Sequence, residues 1–150
     1  MNIKVGDTAP DFETVDSKGN KISLSQLKGR PVVLYFYPKD FTSGCTTEAN
    51  EFKEHYEEFR KNNVEIVGIS VDSAETHRKF AEKYGLPFIL GADNSKEIAK
   101  KYGVLGLATA KRVTFIIDKD GKIVYIFDKV KPKGHAQEVL EKLKELRLIN

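Results

Sequence analysis

One cysteine, Cys45, one methionine and no tryptophan occur in the 150 residues of this chain. A single thiol closes no disulfide within the chain, so a cross-linked scaffold is excluded and the fold must be held by its core. One cysteine and three scattered histidines also fall short of a structural zinc signature, and no metal is expected. Charge of one sign is not in excess: 25 basic against 22 acidic residues leave a net charge of +3, with the signs interspersed. That balance argues against a nucleic-acid or membrane-surface partner. No apolar run reaches membrane-spanning length. The opening Met1-Asn2-Ile3-Lys4-Val5-Gly6-Asp7 is too short and polar for a leader, which makes the cytoplasm the expected location. Repeats, low-complexity tracts and interdomain linkers are missing too, so residues 1–150 are expected to form one domain.

What is present is a well-punctuated alternation of strands and helices. Residues 11–15 and 21–24 read as short strands around the turn Ser17-Lys18-Gly19-Asn20, and Ser25 to Gly29 as a helical turn. Val32 to Tyr37 is a β-branched and aromatic run suited to a central strand buried on both faces. Apolar residues recur at Ala49, Phe52, Tyr56 and Phe59, predicting one amphipathic helix over 46–62. Val64 to Val71 predicts a second buried strand. Ser73 is placed to cap a helix over 74–84 that stops at Gly85. A short extended piece at 88–90 precedes a small helix capped by Asn94 or Ser95. Residues 112–118 and 122–128 predict a hairpin around Asp118-Lys119-Asp120-Gly121. Val139, Leu140, Leu143 and Leu146 share one face of a last helix over 134–147. The order implies an α/β domain with a thioredoxin-like fold: an N-terminal β-hairpin extension, then a central mixed sheet flanked by helices. His55, His77 and His135 fall on these helices and are expected on solvated faces. The lysine-rich Lys129-Val130-Lys131-Pro132-Lys133 is expected to be a solvated loop.

Cys45 stands between the first central strand and the helix after it. The positive end of a helix favours the thiolate, the reactive form of a cysteine, so this position suggests chemistry rather than packing. Around it the pattern Pro38-x-x-x-Thr42-x-x-Cys45 resembles the active-site motif of the peroxiredoxins. Tyr35 to Thr42, Gly44 to Ala49, Gly68 to Ser73, His77 to Phe80, Leu86 to Phe88 and Arg112 to Asp118 extend the likeness to the Bcp/PrxQ branch. The opening Val5-Gly6-Asp7-x-Ala9-Pro10-Asp11-Phe12 extends it further. The resemblance covers nearly the whole chain. It implies a thiol-dependent peroxidase, needing no cofactor, that reduces hydrogen peroxide and small alkyl hydroperoxides through a sulfenic acid at Cys45.

In that reading Arg112 folds back beside the thiolate and holds the peroxide oxygens. Thr42 bonds peroxide and sulfur, Pro38 shields the thiolate from water, and Glu48 orients Arg112. Many members of the branch carry a resolving cysteine five positions after the first; here that position is Asn50, so the sulfenic acid needs an external thiol. Thioredoxin, glutaredoxin or a small thiol is the expected reductant, acting on a monomer or weak dimer. Ser43 replaces a proline common in the family and offers the helix a capping hydroxyl. Two rival readings use the same fold. A thiol-disulfide oxidoreductase would need a Cys-x-x-Cys, which the chain lacks. A non-catalytic redox sensor or holdase would need only Cys45.

Overall fold

The structure, a computed structural model, describes residues 3–150; Met1 and Asn2 of the opening segment lie outside the described residues. Its frame is the run Val32–Phe36 (β3), whose five residues are all buried. Side chains on a strand alternate between faces. Val33 and Tyr35, with Tyr37 just beyond the strand, therefore enter one core and Val32, Leu34 and Phe36 the other. β3 pairs in parallel with Glu65–Ser70 (β4), which pairs in parallel with Ile89–Ala92 (β5). On its other side β3 runs antiparallel to Val113–Ile117 (β6), followed by Ile123–Phe127 (β7). The result is a mixed five-stranded sheet in the order β5-β4-β3-β6-β7. Glu13–Val15 (β1) and Lys21–Ser23 (β2) form the expected separate hairpin, and Ser25–Leu27 a 3-10 turn.

Ser43–Glu54 (α1), Tyr56–Lys61 (α2), Ala74–Tyr84 (α3) and His135–Glu145 (α5) contribute Ala49, Phe52, Phe59, Phe80, Val139, Leu140 and Leu143 to the first core. The short helix Glu97–Lys101 (α4) contributes Ile98 and Ala99 to the second, beside Tyr102. Fully burying a ring such as Phe52 contributes roughly 1.5–3 kcal/mol.

The single helix expected over 46–62 begins earlier, at Ser43, and breaks at His55, whose backbone leaves the helical region (φ −97°, ψ 4°). No proline or glycine marks that break in the sequence. The cap of α4 is neither Asn94 nor Ser95. Asp93 accepts the amides of Ile98 (2.9 Å) and Ala99 (2.8 Å), and Lys96 enters the helix in the left-handed region (φ 68°). Ser73 caps α3 as expected, accepting the Thr76 amide, and Gly85 ends it in the left-handed region.

Candidate active site

The register of the sheet brings the distant parts of the site together. Phe36, the last residue of β3, pairs with Val113, the first of β6. The residue before β6 therefore stands beside the end of β3, where the chain turns into α1. That residue is Arg112. Its Nη2 lies 3.5 Å from Cys45 Sγ and its Nη1 donates to Glu48 Oε1 at 2.7 Å, so one guanidinium spans two groups more than sixty positions earlier in the chain.

Cys45 is the third residue of α1 and only 1% exposed. Its sulfur thus sits at the helix end where amide N–H groups lack intrahelical acceptors and the peptide dipoles favour an anion. Thr42 is the N-cap residue but makes no side-chain cap bond; its hydroxyl donates to the Lys39 carbonyl at 2.8 Å. The Thr42 proton is committed to backbone rather than to sulfur, and the oxygen lone pairs are left to accept. Ser43, expected to offer a cap, is instead the first helical residue. Pro38 is half-buried just past β3. A Cβ on Gly44 would come within 3.1 Å of Arg112 Nη2 and 3.3 Å of Pro132 Cγ, so the residue before the cysteine must be small to let the guanidinium approach.

Glu48 is buried, and only one of its carboxylate oxygens is bonded. The two unpartnered buried side-chain oxygens among the described residues are Glu48 Oε2 and the Tyr35 hydroxyl. Burial pushes the Glu48 carboxyl up to about 7, although Arg112 pulls the other way. Burial opposes the charge of Arg112, and Glu48 and Cys45 more than restore it. The site therefore holds a permanent cation between a thiol and a carboxyl that ionises near neutrality.

Glu48 also gives the fold a pH dependence of definite sign. Between the ordinary value of 4.5 and about 7 the folded protein holds a proton that the unfolded chain has released. Stability from this group is complete below that window and is lost as pH rises through it, by about 3 kcal/mol. Glu48→Gln is expected to match the parent in urea unfolding near pH 4 and to exceed it by about that amount at pH 8. The difference between variants is the informative quantity, because His135 works in the opposite direction. Burial lowers its pKa, helped by Arg112 and countered by Glu138, so its contribution is lost as pH falls. A constant difference between the variants from pH 4 to pH 8 would refute this account of Glu48.

Two histidines expected on solvated faces are buried. His135 is 1% exposed, with Nε2 2.8 Å from the Thr114 hydroxyl and Nδ1 2.9 Å from Glu138 Oε1. His77 is 0% exposed and belongs to a polar network beneath the turn that carries Pro38 and Thr42. Its Nδ1 lies 2.6 Å from Asp40 Oδ2 and its Nε2 3.1 Å from the Gly91 carbonyl. Asp40 also accepts the Tyr37 hydroxyl at 2.6 Å, and its amide donates to Asp72 Oδ2 at 2.8 Å, which Ser70 Oγ also reaches. The Gly91 carbonyl only accepts, so Nε2 is the donor of that bond and Nδ1 faces the Asp40 carboxyl. Phe41, next in the turn, takes a left-handed conformation (φ 68°) that is costly for a non-glycine residue, and its ring packs on Phe80. The turn carrying Pro38 and Thr42 is thus tied to β3, β4, β5 and α3. Asp40, Asp72, Tyr37 and His77 were not singled out as site residues from the sequence. Helical spacing was the available signal: His77 shares a face with Phe80, three residues on, and His135 with Val139, four on.

Asp40, Asp72 and His77 place ligand-type atoms within 4.8 Å of one another, but their hydrogen bonds are already satisfied internally, which fits a structural clamp better than a metal site. No helix among the described residues is long and apolar enough to cross a membrane.

A family model described as AhpC/TSA matches residues 5–126. The chain belongs to that family. It is 42% identical to peroxiredoxin Bcp of Bacillus subtilis, across 97% of this chain and 98% of that protein. To a putative peroxiredoxin bcp of Helicobacter pylori it is 46% identical, across 94% and 98%. The chloroplastic peroxiredoxin Q of Sedum lineare is 42% identical, across 97% and 80%. Among solved structures, peroxidoxin BcpB of Mycobacterium tuberculosis superposes with a TM-score of 0.91 at 37% identity, across 97% of this chain and 99% of that one. A PrxQ mutant of Xylella fastidiosa reaches 0.94 at 33% identity, across 98% and 99%. The expected fold and the expected Bcp/PrxQ branch both stand: this is a peroxiredoxin, a class of thiol-dependent peroxidases, with one thiol.

Proposed function

We propose that this peroxiredoxin reduces hydrogen peroxide and small alkyl hydroperoxides at Cys45 by a one-cysteine cycle. The observation that carries the reading is the Arg112 guanidinium 3.5 Å from a sulfur seated in the first turn of α1. The guanidinium is a fixed donor aimed at the reacting sulfur, and the start of the helix places unpaired backbone amides beside it.

In the first half-reaction the Cys45 thiolate attacks the terminal peroxide oxygen. The S–O bond forms as the O–O bond breaks. The alkoxide or hydroxide leaves and takes a proton from water, and Cys45 becomes a sulfenic acid. Arg112 stabilises negative charge as it passes from sulfur to the leaving oxygen. The Thr42 oxygen, its own proton held by Lys39, is free to accept from the peroxide O–H. Pro38, half-buried in the turn after β3, takes the shielding role that the family resemblance gives it, and Glu48 holds the guanidinium in place. In the second half-reaction an external thiolate attacks the Cys45 sulfur and expels hydroxide, which leaves as water. A second thiolate then releases the mixed disulfide and restores Cys45, so two thiols reduce one peroxide. Thioredoxin, glutaredoxin or a small thiol can play this part. The unit that works is a single 150-residue domain in the cytoplasm, as a monomer or weak dimer, with no metal or organic cofactor.

The test pairs kinetics with mass spectrometry. One equivalent of hydrogen peroxide is expected to add one oxygen at Cys45, and dithiothreitol to be oxidised over many turnovers when peroxide is supplied. Consumption of a single equivalent followed by silence would point to a redox sensor and end the enzymatic reading.

A further inference from the structure

The lysine-rich segment after β7 is a solvated loop, as expected from the sequence, and it borders the candidate active site. Lys129, Lys131 and Lys133 are exposed, while Val130 and Pro132 between them are half-buried, so the alternation turns three ammonium groups outward together. Pro132 is the residue that faces Gly44, next to Cys45. The far end of the segment is fixed to the same helix as the cysteine, because the Gly134 amide donates to Glu51 Oε1 at 2.7 Å. The three lysines, with Gly134, His135 and Glu138, border a hollow of about 300 Å³. Two acidic groups beside it are engaged, Glu138 with His135 and Glu51 with Gly134, and Asp128 directly before Lys129 is exposed. The other lysines that follow β7, Lys142 and Lys144, form ion pairs among the described residues, whereas Lys129, Lys131 and Lys133 form none.

We propose that the Lys129–Lys133 segment is the docking surface for the reductant and that it selects a small thiol bearing carboxylates. This rests on the one-cysteine cycle above, in which a thiol from outside must reach Cys45. Three clustered lysines that form no ion pair among the described residues, against the single neighbouring carboxylate of Asp128, raise the local concentration of an anionic thiol beside that approach and disfavour a cationic one. Cys45 is 1% exposed, so a slender molecule reaches it more readily than a broad surface does, and the hollow bordered by the lysines, though not lined by Cys45 itself, has the volume of a small-ligand site. The chemistry balances as in that cycle: two anionic thiols supply two electrons, their disulfide leaves, and the sulfenic oxygen departs as water.

The experiment separates the half-reactions. Cys45 is first oxidised with one equivalent of hydrogen peroxide, a neutral substrate whose rate is recorded alone. The sulfenic form is then reduced with mercaptosuccinate, mercaptoethanol or cysteamine, in the parent and in K129Q/K131Q/K133Q. The parent is expected to favour mercaptosuccinate over cysteamine, after correction for each thiol's intrinsic reactivity. In the triple variant that preference falls roughly tenfold. Raising salt to 0.5 M or so should erase it in the parent, and the peroxide step should not change in either protein. Equal preference in both proteins overturns the proposal. So does a triple variant that loses reduction only by an acidic dithiol protein, which would assign the strap to a macromolecular partner. If the peroxide step itself fails in the parent, the fault lies with the one-cysteine cycle and not with the strap.

Discussion

Cys45→Ser is expected to bring peroxide-dependent oxidation of dithiothreitol down to the uncatalysed rate, with the fold intact. The cycle depends on a sulfur nucleophile that accepts an oxygen atom and releases it to a thiol. A serine hydroxyl does none of these: it stays protonated, and its oxygen cannot take a second oxygen from the peroxide. Arg112 and the start of α1 remain in place in the variant, but neither has a nucleophile to assist. The change in volume is small, although Cys45 packs in the core with Ala49, Tyr35 and Phe52. The new oxygen sits on a shorter bond than the sulfur, which Arg112 Nη2 reaches at 3.5 Å, so the hydroxyl loses some of that contact and the stability cost should be about 1–3 kcal/mol. Circular dichroism and urea unfolding check the fold, and thiol titration under steady peroxide supply checks the activity. Sustained turnover by a folded Cys45→Ser protein would remove Cys45 from the mechanism and leave the chain with no sulfur nucleophile, since it has no other cysteine.

Much of this architecture was legible in the sequence because the sheet is buried on both faces. β3 and β4 read as continuous apolar runs, and the alternation of strands with amphipathic helices fixed the layer order. Ser73 and Gly85 marked the ends of α3 because capping is local chemistry. Where an element's end is set by a partner far along the chain, the sequence said less. Asp93, rather than its neighbours Asn94 and Ser95, caps α4 because a left-handed Lys96 folds the chain back to bring the amides of Ile98 and Ala99 onto it. The break at His55 has no local cause in residue type. For the site, the strand-end position of Cys45 was readable, and the resemblance supplied Pro38, Thr42, Arg112 and Glu48. Spacing alone does not bring Arg112 to Cys45; the pairing of Phe36 with Val113 does, and that is a property of the finished sheet. His77 and His135 looked solvated because polarity was weighted above helical position. Their burial is affordable only with the partners on both ring nitrogens that tertiary structure provides.

Arg112→Leu is expected to slow oxidation of Cys45 by hydrogen peroxide by about 10²–10³-fold, the range seen when one preorganised donor is removed from developing negative charge. Two effects act together. The thiolate loses the cation 3.5 Å away, and the leaving oxygen loses its donor. The same substitution strands Glu48, whose one bonded oxygen is held by Arg112 Nη1. Breaking a buried pair on one side costs about 3–5 kcal/mol when the remaining charge cannot relax. Glu48 can relax by taking a proton, since burial already places it near 7 and Arg112 is what holds it down. The stability loss should therefore be small at pH 5 and several kcal/mol at pH 8. The double variant Arg112→Leu with Glu48→Gln separates the roles, because it removes the stranded charge without returning the guanidinium. It should recover most of the stability at pH 8 and none of the oxidation rate. Strong coupling in stability with no recovery of rate is the signature of a cation that serves two masters, one structural and one chemical. If the double variant recovers rate along with stability, Arg112 acts on Cys45 only by keeping the fold in order, and the assignment of its guanidinium to the peroxide step fails.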